Sequence, residues 1–190
     1  MKTRTQSVQL ADSTSQEIMP PFEPMNHPGH LVRRLHQICV AVFLDAARDY
    51  DLTHVQFAAL LAIERYPDID QTRMAKLVAL DRQTTSNVVA RLITKGLVER
   101  RQKNKRTSAL RITGAGKALI EVMQPRQKPI DDTILGPLTE QERETLMALL
   151  RKVVGSNNAL SRAPHFSDVE MTAAGGQEPA EDSVSSGRRR

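Results

Sequence analysis

The sequence is poor in aromatic residues and nearly free of cysteine. Its 190 residues include no tryptophan, two tyrosines and four phenylalanines, so the core must consist mostly of aliphatic side chains and methionine. The single cysteine, Cys39, excludes an intramolecular disulfide and is typical of proteins in a reducing cytoplasm. We therefore expect a cytoplasmic protein whose fold does not depend on disulfides.

Long hydrophobic stretches are also missing. The longest unbroken apolar runs, Ile38–Leu44 and Phe57–Ile63, have seven residues each, whereas a helix needs about 20 to cross a bilayer. Lys2 and Arg4 are not followed by an apolar segment, so we expect no secretory signal and no membrane partner.

Motifs that carry enzyme chemistry are missing as well. The sequence has no Gly-rich phosphate loop, nucleophile elbow or metal-binding motif. His30 and His36 are six residues apart and do not share a helix face. One cysteine without clustered carboxylates does not make a structural zinc site. We expect a protein that is not an enzyme, with no catalytic residues, no metal and no cofactor.

Positive charge is concentrated in one quarter of the chain. Between Gln71 and Lys117, twelve basic residues against two acidic ones give a net charge of +10, within a total of +5 for the whole chain. Such a patch is the electrostatic footprint of nucleic-acid binding, although a charge run can also be plain solvated surface. Because stacking aromatics are scarce, duplex DNA is favoured over single strands.

In the middle of the chain the apolar residues recur with helical periodicity, whereas neither end of the chain has such a pattern. We expect residues 1–27 to form a flexible arm and residues 164–190 a disordered tail, which has too little apolar surface to offset chain entropy. Between them, one helix face is marked by apolar residues at spacings of four and three. These residues are Leu31, Leu35, Ile38, Val42 and Ala46.

Shorter helices follow, each with a recognisable start. Thr53 and Gln56 form a capping box for a helix that ends before Pro67. A second short helix precedes Asp81, which caps a third helix that ends at Gly96.

Two strands, residues 97–101 and 109–112, come next and are joined by a polar loop as a hairpin. Thr113 then caps another helix, and Thr139 opens a capping box for the last one. The last helix carries a stripe that fits a partner helix: Leu146, Leu149, Leu150, Val153 and Val154.

A helix, a tight turn, a second helix and a basic hairpin make the layout of a winged helix-turn-helix. We therefore predict a mainly α-helical protein with a small β-hairpin wing, whose second helix enters the major groove. The residues expected to contact DNA are Arg73, Arg82, Gln83, Thr84, Thr85, Ser86, Asn87, Arg91, Lys103, Asn104, Lys105 and Arg106.

The side chains of this set suit DNA recognition. Arg and Gln can make paired hydrogen bonds with guanine and adenine, Thr can contact a thymine methyl, and Lys can neutralise phosphates. The alternative is that Thr84, Thr85 and Ser86 fill the first helical turn and never meet DNA.

The stretches Asp81–Leu92, Lys95–Arg100 and Leu110–Gly116, in this order, resemble the MarR family of regulators. The resemblance spans residues 29–154. It implies a homodimer with interlocking N- and C-terminal helices, bound to a palindromic operator, and repression relieved by a small ligand, often an aromatic acid.

This resemblance also suggests how the chain is divided. We expect a dimerisation helix at residues 28–50, a winged helix-turn-helix lobe at 51–117 and C-terminal dimerisation helices at 118–163. The stretches Pro28–Gln37 and Leu52–Phe57 look similar to family members that control nicotinate or related aromatic-acid catabolism, which points to a ligand such as a hydroxynicotinate.

An anionic aromatic ligand needs a cation or donor beside an apolar crevice, which we expect between the dimer helices and the DNA-binding lobe. The candidates are His30, Arg33, Arg34, His36, Thr53, His54 and Phe57. Alternatively, Arg33 and Arg34 pair with acids across the dimer, and His54 is an exposed first-turn residue.

Two features depart from the family pattern. The family's wing usually has an Asp two residues before an Arg, whereas here Asn104 precedes Arg106, which predicts a looser wing. Pro125 and Pro129 fall inside a long helical pattern. Because a proline inside a helix costs ~3 kcal/mol or more, we expect them to interrupt that helix and bend the connection to the last one.

Two other functions remain open. A nonspecific chromosome-coating protein would share the basic patch but would bind every sequence alike. A redox-responsive regulator would use Cys39, although a cysteine on a buried helix is more often a small hydrophobic residue.

Overall fold

A computed structural model describes residues 23–102 and 108–162. The contacts divide the chain between His36 and Gln37 into two compact units, each taken by itself below. The first contains the 3-10 turn Pro24–Asn26 and the beginning of α1 (Pro28–Ala46), and the second contains the remaining elements. The predictions for the tail, the wing tip and most of the N-terminal arm lie outside the described residues.

Among its described residues, the second unit continues from α1 with five more α-helices and three strands, besides the short 3-10 helices Arg48–Tyr50 and Asn158–Leu160. In chain order these are α2 (His54–Arg65), β1 (Ile69–Asp70), α3 (Gln71–Leu77), α4 (Arg82–Thr94), β2 (Val98–Gln102), β3 (Ser108–Ile112), α5 (Gly114–Ile134) and α6 (Glu140–Asn157). This order confirms the predicted mainly helical fold with a small hairpin. Across the described ranges, no helix combines the length and apolarity needed to span a membrane.

The sheet has three antiparallel strands in the order β1-β3-β2. β3 pairs along its length with β2, and its Leu110 lies opposite Ile69 of β1. The prediction of a two-stranded hairpin missed β1, because a strand of two residues is too short to show an alternating pattern.

Side-chain caps set the helix starts. Thr53 and Thr139 form the two predicted capping boxes, and Thr113 caps α5. Asp81 caps α4 as predicted, and Asp70, which the sequence did not reveal, caps α3 by accepting from the Arg73 N–H at 2.9 Å. Each cap satisfies a backbone donor that has no partner inside its helix.

One apolar core joins the elements of the second unit. Phe43 of α1, Leu60 of α2, Leu92 of α4, Leu110 of β3 and Ile120 of α5 are all at most 2% exposed. Because five elements share this core, the orientation of each depends on its neighbours.

α5 runs without a break through Pro125 and Pro129, so the prediction that they interrupt it is wrong. Proline removes a backbone donor, which weakens the helix locally. Here contacts outside the helix compensate: the Arg126 guanidinium donates to the carbonyl oxygen of Ala46 on α1 at 2.6 Å, and Ile130 is buried in the core.

Two helices end at a residue in the left-handed conformation. Gly96 after α4 has φ of 67°, as its predicted role requires. After α3, Ala79 has φ of 53°, and the Leu80 N–H donates to the Ala75 carbonyl oxygen at 2.9 Å. A Cβ in this conformation costs about 1–2 kcal/mol, so the turn between α3 and α4 carries local strain.

Ala79→Gly should therefore raise the free energy of unfolding by about 0.5–1 kcal/mol, after allowance for the greater entropy of glycine in the unfolded chain. Urea denaturation at one fixed protein concentration measures this change. The matched control is Ala90→Gly at an exposed position inside α4, which should lose about 1 kcal/mol. Destabilisation by both substitutions would contradict the strain at Ala79.

Candidate nucleic-acid interface

α4 has one buried face and one exposed face. Val88, Val89 and Leu92 are at most 8% exposed and belong to the core. The opposite side carries exposed residues that recur every three or four positions and so form one stripe along the helix. This stripe consists of Gln83, Ser86, Asn87, Ala90 and Arg91.

The N-terminus of α4 is fixed by Asp81. Its carboxylate accepts the Thr84 N–H at 2.9 Å and the Thr84 hydroxyl at 2.8 Å. These hydrogen bonds hold the pKa of the Asp81 carboxyl below its ordinary value, because they stabilise the charged form. Thr84 is thus engaged in the cap, although its side chain is only half-buried.

Thr85 belongs to the buried face. It is 1% exposed, and its hydroxyl donates to the Asp81 carbonyl oxygen at 2.6 Å. This burial argues against a contact between Thr85 and DNA and favours the alternative in which Thr85 fills the first helical turn. Thr85 points inward because it lies three and four residues before Val88 and Val89.

A polar network connects α3, α4 and β2. The Gln71 amide donates to the Ser86 hydroxyl oxygen at 3.1 Å, and the Arg100 guanidinium donates to the Gln71 side-chain oxygen at 3.2 Å. Ser86 in turn donates to the Arg82 carbonyl oxygen at 3.0 Å. No local pattern marks Gln71 in the sequence, because its hydrogen bonds join residues that are distant along the chain.

The other predicted contact residues fall into two groups. Arg82 and Arg91 are exposed near the two ends of α4, and Arg73 is half-buried on α3. The predicted wing-tip residues lie outside the described residues: Lys103, Asn104, Lys105 and Arg106. The prediction that Asn104 makes the wing looser therefore remains a prediction. The structure thus brings together the predicted residues of α4 other than Thr85.

The base of the hairpin is held by an ion pair. The Arg111 Nε and terminal nitrogen lie 3.1 and 2.6 Å from the two carboxylate oxygens of Asp68, which precedes β1. The carboxylate raises the pKa of the Arg111 guanidinium. This paired geometry joins β3 to the turn before β1 and orients the strands that lead into the wing.

The C-terminus of α4 is tied to the start of α2. The Lys95 ammonium lies 2.9 Å from the Asp51 carboxylate, contacts the Asp51 carbonyl oxygen and lies 3.4 Å from the Gln56 side-chain oxygen. Lys95 lowers the pKa of Asp51 through hydrogen bonding and charge. Gln56 is 2% exposed and also accepts the Thr53 N–H, so the α2 capping box and α4 share one acceptor.

The residues predicted to bind a ligand fall in both units. His30, Arg33, Arg34 and His36 belong to the first, and Thr53, His54 and Phe57 to the second. Thr53 caps α2, and Phe57 is a core residue at 2% exposure. The His54 ring is edge-on to Phe43, with the centroids 5.3 Å apart, although His54 itself is exposed.

Cys39 is half-buried on α1. Burial raises the pKa of its thiol, and the nearby Asp131 carboxylate adds to this shift. A raised pKa lowers the thiolate fraction on which oxidation depends, so this observation does not favour redox sensing. Within residues 23–102 and 108–162, no group of three or more His, Cys, Asp and Glu could hold a metal ion.

The sequence matches known regulators. Residues 50–106 match a family model described as the MarR family. The HTH-type transcriptional repressor NicR of Pseudomonas putida is 31% identical over 139 residues, which are 72% of this chain and 88% of that protein.

Solved structures of such regulators have the same fold. BpsR of Bordetella bronchiseptica, described with the regulation of its DNA binding by 6-hydroxynicotinic acid, has a TM-score of 0.67 and 31% identity, covering 71% of this chain and 98% of that one. A mutant MarR of E. coli complexed with operator DNA has a TM-score of 0.63 and 27% identity, covering 66% and 92%. These likenesses confirm the predicted winged helix-turn-helix.

The lowered pKa of Asp81 makes part of the stability depend on pH. Above its ordinary value of 3.8 the carboxylate stabilises the fold, and this contribution is lost as the pH falls through the lower folded-state pKa. Asp81→Asn keeps a capping oxygen but does not titrate. Between about pH 6 and about pH 3, the free energy of unfolding should therefore fall less in Asp81→Asn than in wild type, as measured by urea unfolding at both pH values. An equal fall in the two proteins would contradict the role of the Asp81 carboxylate in this pH dependence.

Proposed function

The chain belongs to the MarR family of transcriptional regulators. We propose that it is a dimeric repressor that binds duplex DNA and leaves its operator when it binds a small aromatic acid. The observation that carries this proposal is the exposed polar stripe of α4, seated on a fully buried apolar face. A helix presented in this way can enter a major groove without losing its core contacts.

The stripe has the chemistry to read bases. Gln83 and Asn87 can each pair with adenine through their amides, and the Arg91 guanidinium can make two hydrogen bonds to guanine. Arg82, exposed at the start of α4, suits a phosphate, because a guanidinium can make two parallel hydrogen bonds to phosphate oxygens. The surrounding net charge of +10 between residues 71 and 117 would draw the duplex to this face.

Exposed apolar side chains support a second copy of the chain as partner. α6 has no buried residue, and Leu149, Val153 and Val154 are 56–62% exposed. On α1, Ile38 and Leu44 are nearly half exposed. Burying one such side chain fully is worth about 1.5–3 kcal/mol, so covering α6 and α1 with the same helices of a partner would stabilise a dimer.

A dimer of this kind would read a palindrome. Two copies of α4 related by a two-fold axis meet half-sites about 10 base pairs apart when they occupy successive major grooves. Among the relatives, a mutant MarR of E. coli forms a complex with operator DNA.

The effector is proposed from the relatives and from the predicted cations. DNA binding by BpsR is regulated by 6-hydroxynicotinic acid. In this chain Arg33, Arg34 and the histidines His30, His36 and His54 are the predicted carboxylate partners. A ligand that favours another arrangement of the dimer by ~1.4 kcal/mol lowers operator affinity tenfold.

The proposal predicts selective binding that an acid relieves. Duplexes from the protein's own upstream region, titrated at fixed salt, should bind more tightly than scrambled duplexes of the same length, and 6-hydroxynicotinate or a benzoate should weaken only the selective complex. Equal affinity for both duplexes would support a chromosome-coating protein instead. Selective binding that no acid alters would discard the proposed effector class.

Arg91 and Lys105 should differ in their effects. Arg91→Ala should relax specificity at one base position, with about 1–3 kcal/mol of discrimination lost. Lys105→Ala should weaken all duplexes alike and reduce the dependence of affinity on salt. Titrations of both variants against single-base-pair variants of the operator measure this. Equal losses on every sequence for both variants would undo the assignment of Arg91.

A further inference from the structure

Arg100 lies on β2, the strand of the hairpin that follows α4. Because side chains alternate along a strand, Val98 and Arg100 share one face of β2, and Leu110 lies opposite Arg100 on β3. Val98 and Leu110 are at most 2% exposed and belong to the core, whereas Arg100 is exposed. The guanidinium therefore emerges at the rim of the core, on the side of the sheet that packs on the helices.

Gln71 connects Arg100 to α4. It is the first residue of α3 and follows Asp70, whose pairing with Ala109 ties the backbone here to the sheet. Its side-chain oxygen accepts from the Arg100 guanidinium at 3.2 Å, and its amide nitrogen donates to the Ser86 hydroxyl oxygen at 3.1 Å. Because a guanidinium can only donate, the amide oxygen must face Arg100 and the nitrogen must face Ser86. Only one orientation of the Gln71 amide thus satisfies both neighbours.

This series of hydrogen bonds ends on the backbone of α4. The Ser86 hydroxyl donates to the Arg82 carbonyl oxygen at 3.0 Å, which leaves its own lone pairs to accept from Gln71. Ser86 belongs to the polar stripe of α4 that is proposed to enter the major groove. Through Gln71, Arg100 is therefore tied to the exposed face of α4 and not only to its own strand.

Arg100 keeps donors for a further acceptor. A guanidinium has five N–H donors, and the hydrogen bond to Gln71 uses one of them. None of the ion pairs between described residues includes Arg100, whereas Arg101, on the opposite face of the strand, contacts Glu99 at 2.7 Å. A cation beside a helix in the major groove meets the phosphates that border the groove, and a guanidinium can make two parallel hydrogen bonds to phosphate oxygens.

We propose that Arg100 binds a phosphate of the DNA backbone beside the polar stripe of α4, and that Gln71 is the positioning residue that holds the Arg100 guanidinium there before DNA arrives. The proposal rests on the proposed function, in which α4 enters the major groove. It adds a backbone contact between the helix and the wing that the sequence did not single out.

Titration of duplex DNA at several salt concentrations tests the contact, with the protein's own upstream duplex and a scrambled duplex. Arg100→Gln should weaken both complexes at least about tenfold, since charge-assisted hydrogen bonds are lost. The slope of log affinity against log salt should also fall by about one for each copy of α4 bound. The matched control is Arg101→Gln, which removes the same charge one residue away from a side chain paired with Glu99. It should leave the affinity within about threefold.

Two more variants separate the charge of Arg100 from its orientation. Gln71→Met keeps the length of the side chain but removes both hydrogen bonds. It should weaken both complexes about two- to tenfold with the wild-type salt slope, because the charge remains and only the cost of ordering it rises. In the Arg100→Gln background, Gln71→Met should have no further effect. Arg100→Lys keeps the charge without the planar pair of donors, so it should keep the slope and bind both duplexes less tightly.

Thermal unfolding at one protein concentration shows that each variant is folded. Equal effects of Arg100→Gln and Arg101→Gln on affinity and slope would overturn the phosphate contact. A loss in Gln71→Met that is the same with and without Arg100 would overturn the positioning role, because Gln71 would then act by another route.

The two duplexes separate this proposal from the proposed function. Phosphates are present in every sequence, so the Arg100 contact is measured on the scrambled duplex as well. Equal wild-type affinity for both duplexes contradicts the repressor and leaves the contact to be judged by the salt slopes. Selective binding that Arg100→Gln does not weaken overturns the contact and leaves the repressor intact. Wild type that binds neither duplex contradicts both.

Discussion

Burial of Val88, Val89 and Leu92 in the core decides which side of α4 faces solvent. With 3.6 residues per turn, fixing these three side chains also fixes the direction of Gln83 and Asn87 on the other side. A rotation of the helix by one position would expose apolar residues and bury amides without partners, and both changes cost free energy. The polar stripe is therefore as well determined as the core beneath it.

The two ends of α4 are held by different means. At the N-terminus, the Asp81 carboxylate accepts the Thr84 N–H, and the Asp81 carbonyl oxygen accepts the Thr85 hydroxyl. At the C-terminus, Gly96 reverses the chain, and Lys95 reaches Asp51 and Gln56 next to α2. These contacts limit sliding and fraying of the helix, so the exposed residues are already placed before any DNA is present.

Local signals in the sequence were enough to predict most elements. The caps at Thr53, Thr113 and Thr139 and the reversal at Gly96 depend on one to four neighbouring residues, and the structure contains all four. The winged helix-turn-helix order followed from these starts and stops together with the apolar spacing.

What the sequence did not reveal depends on contacts between distant residues. β1 exists because Ile69 pairs with Leu110, and α5 continues past Pro125 because Arg126 and the core hold it from outside. From the sequence, Thr85 was predicted to be a polar contact residue, but the orientation of α4 in the core points its side chain inward.

The most direct measurement for the central claim is methylation protection of a bound duplex, which distinguishes contacts at guanine N7 in the major groove from contacts at adenine N3 in the minor groove. If two copies of α4 read the DNA, guanines should be protected in two clusters about 10 base pairs apart on one face of the duplex. Protection confined to the minor groove, or spread evenly along the duplex, would contradict recognition by the exposed face of α4.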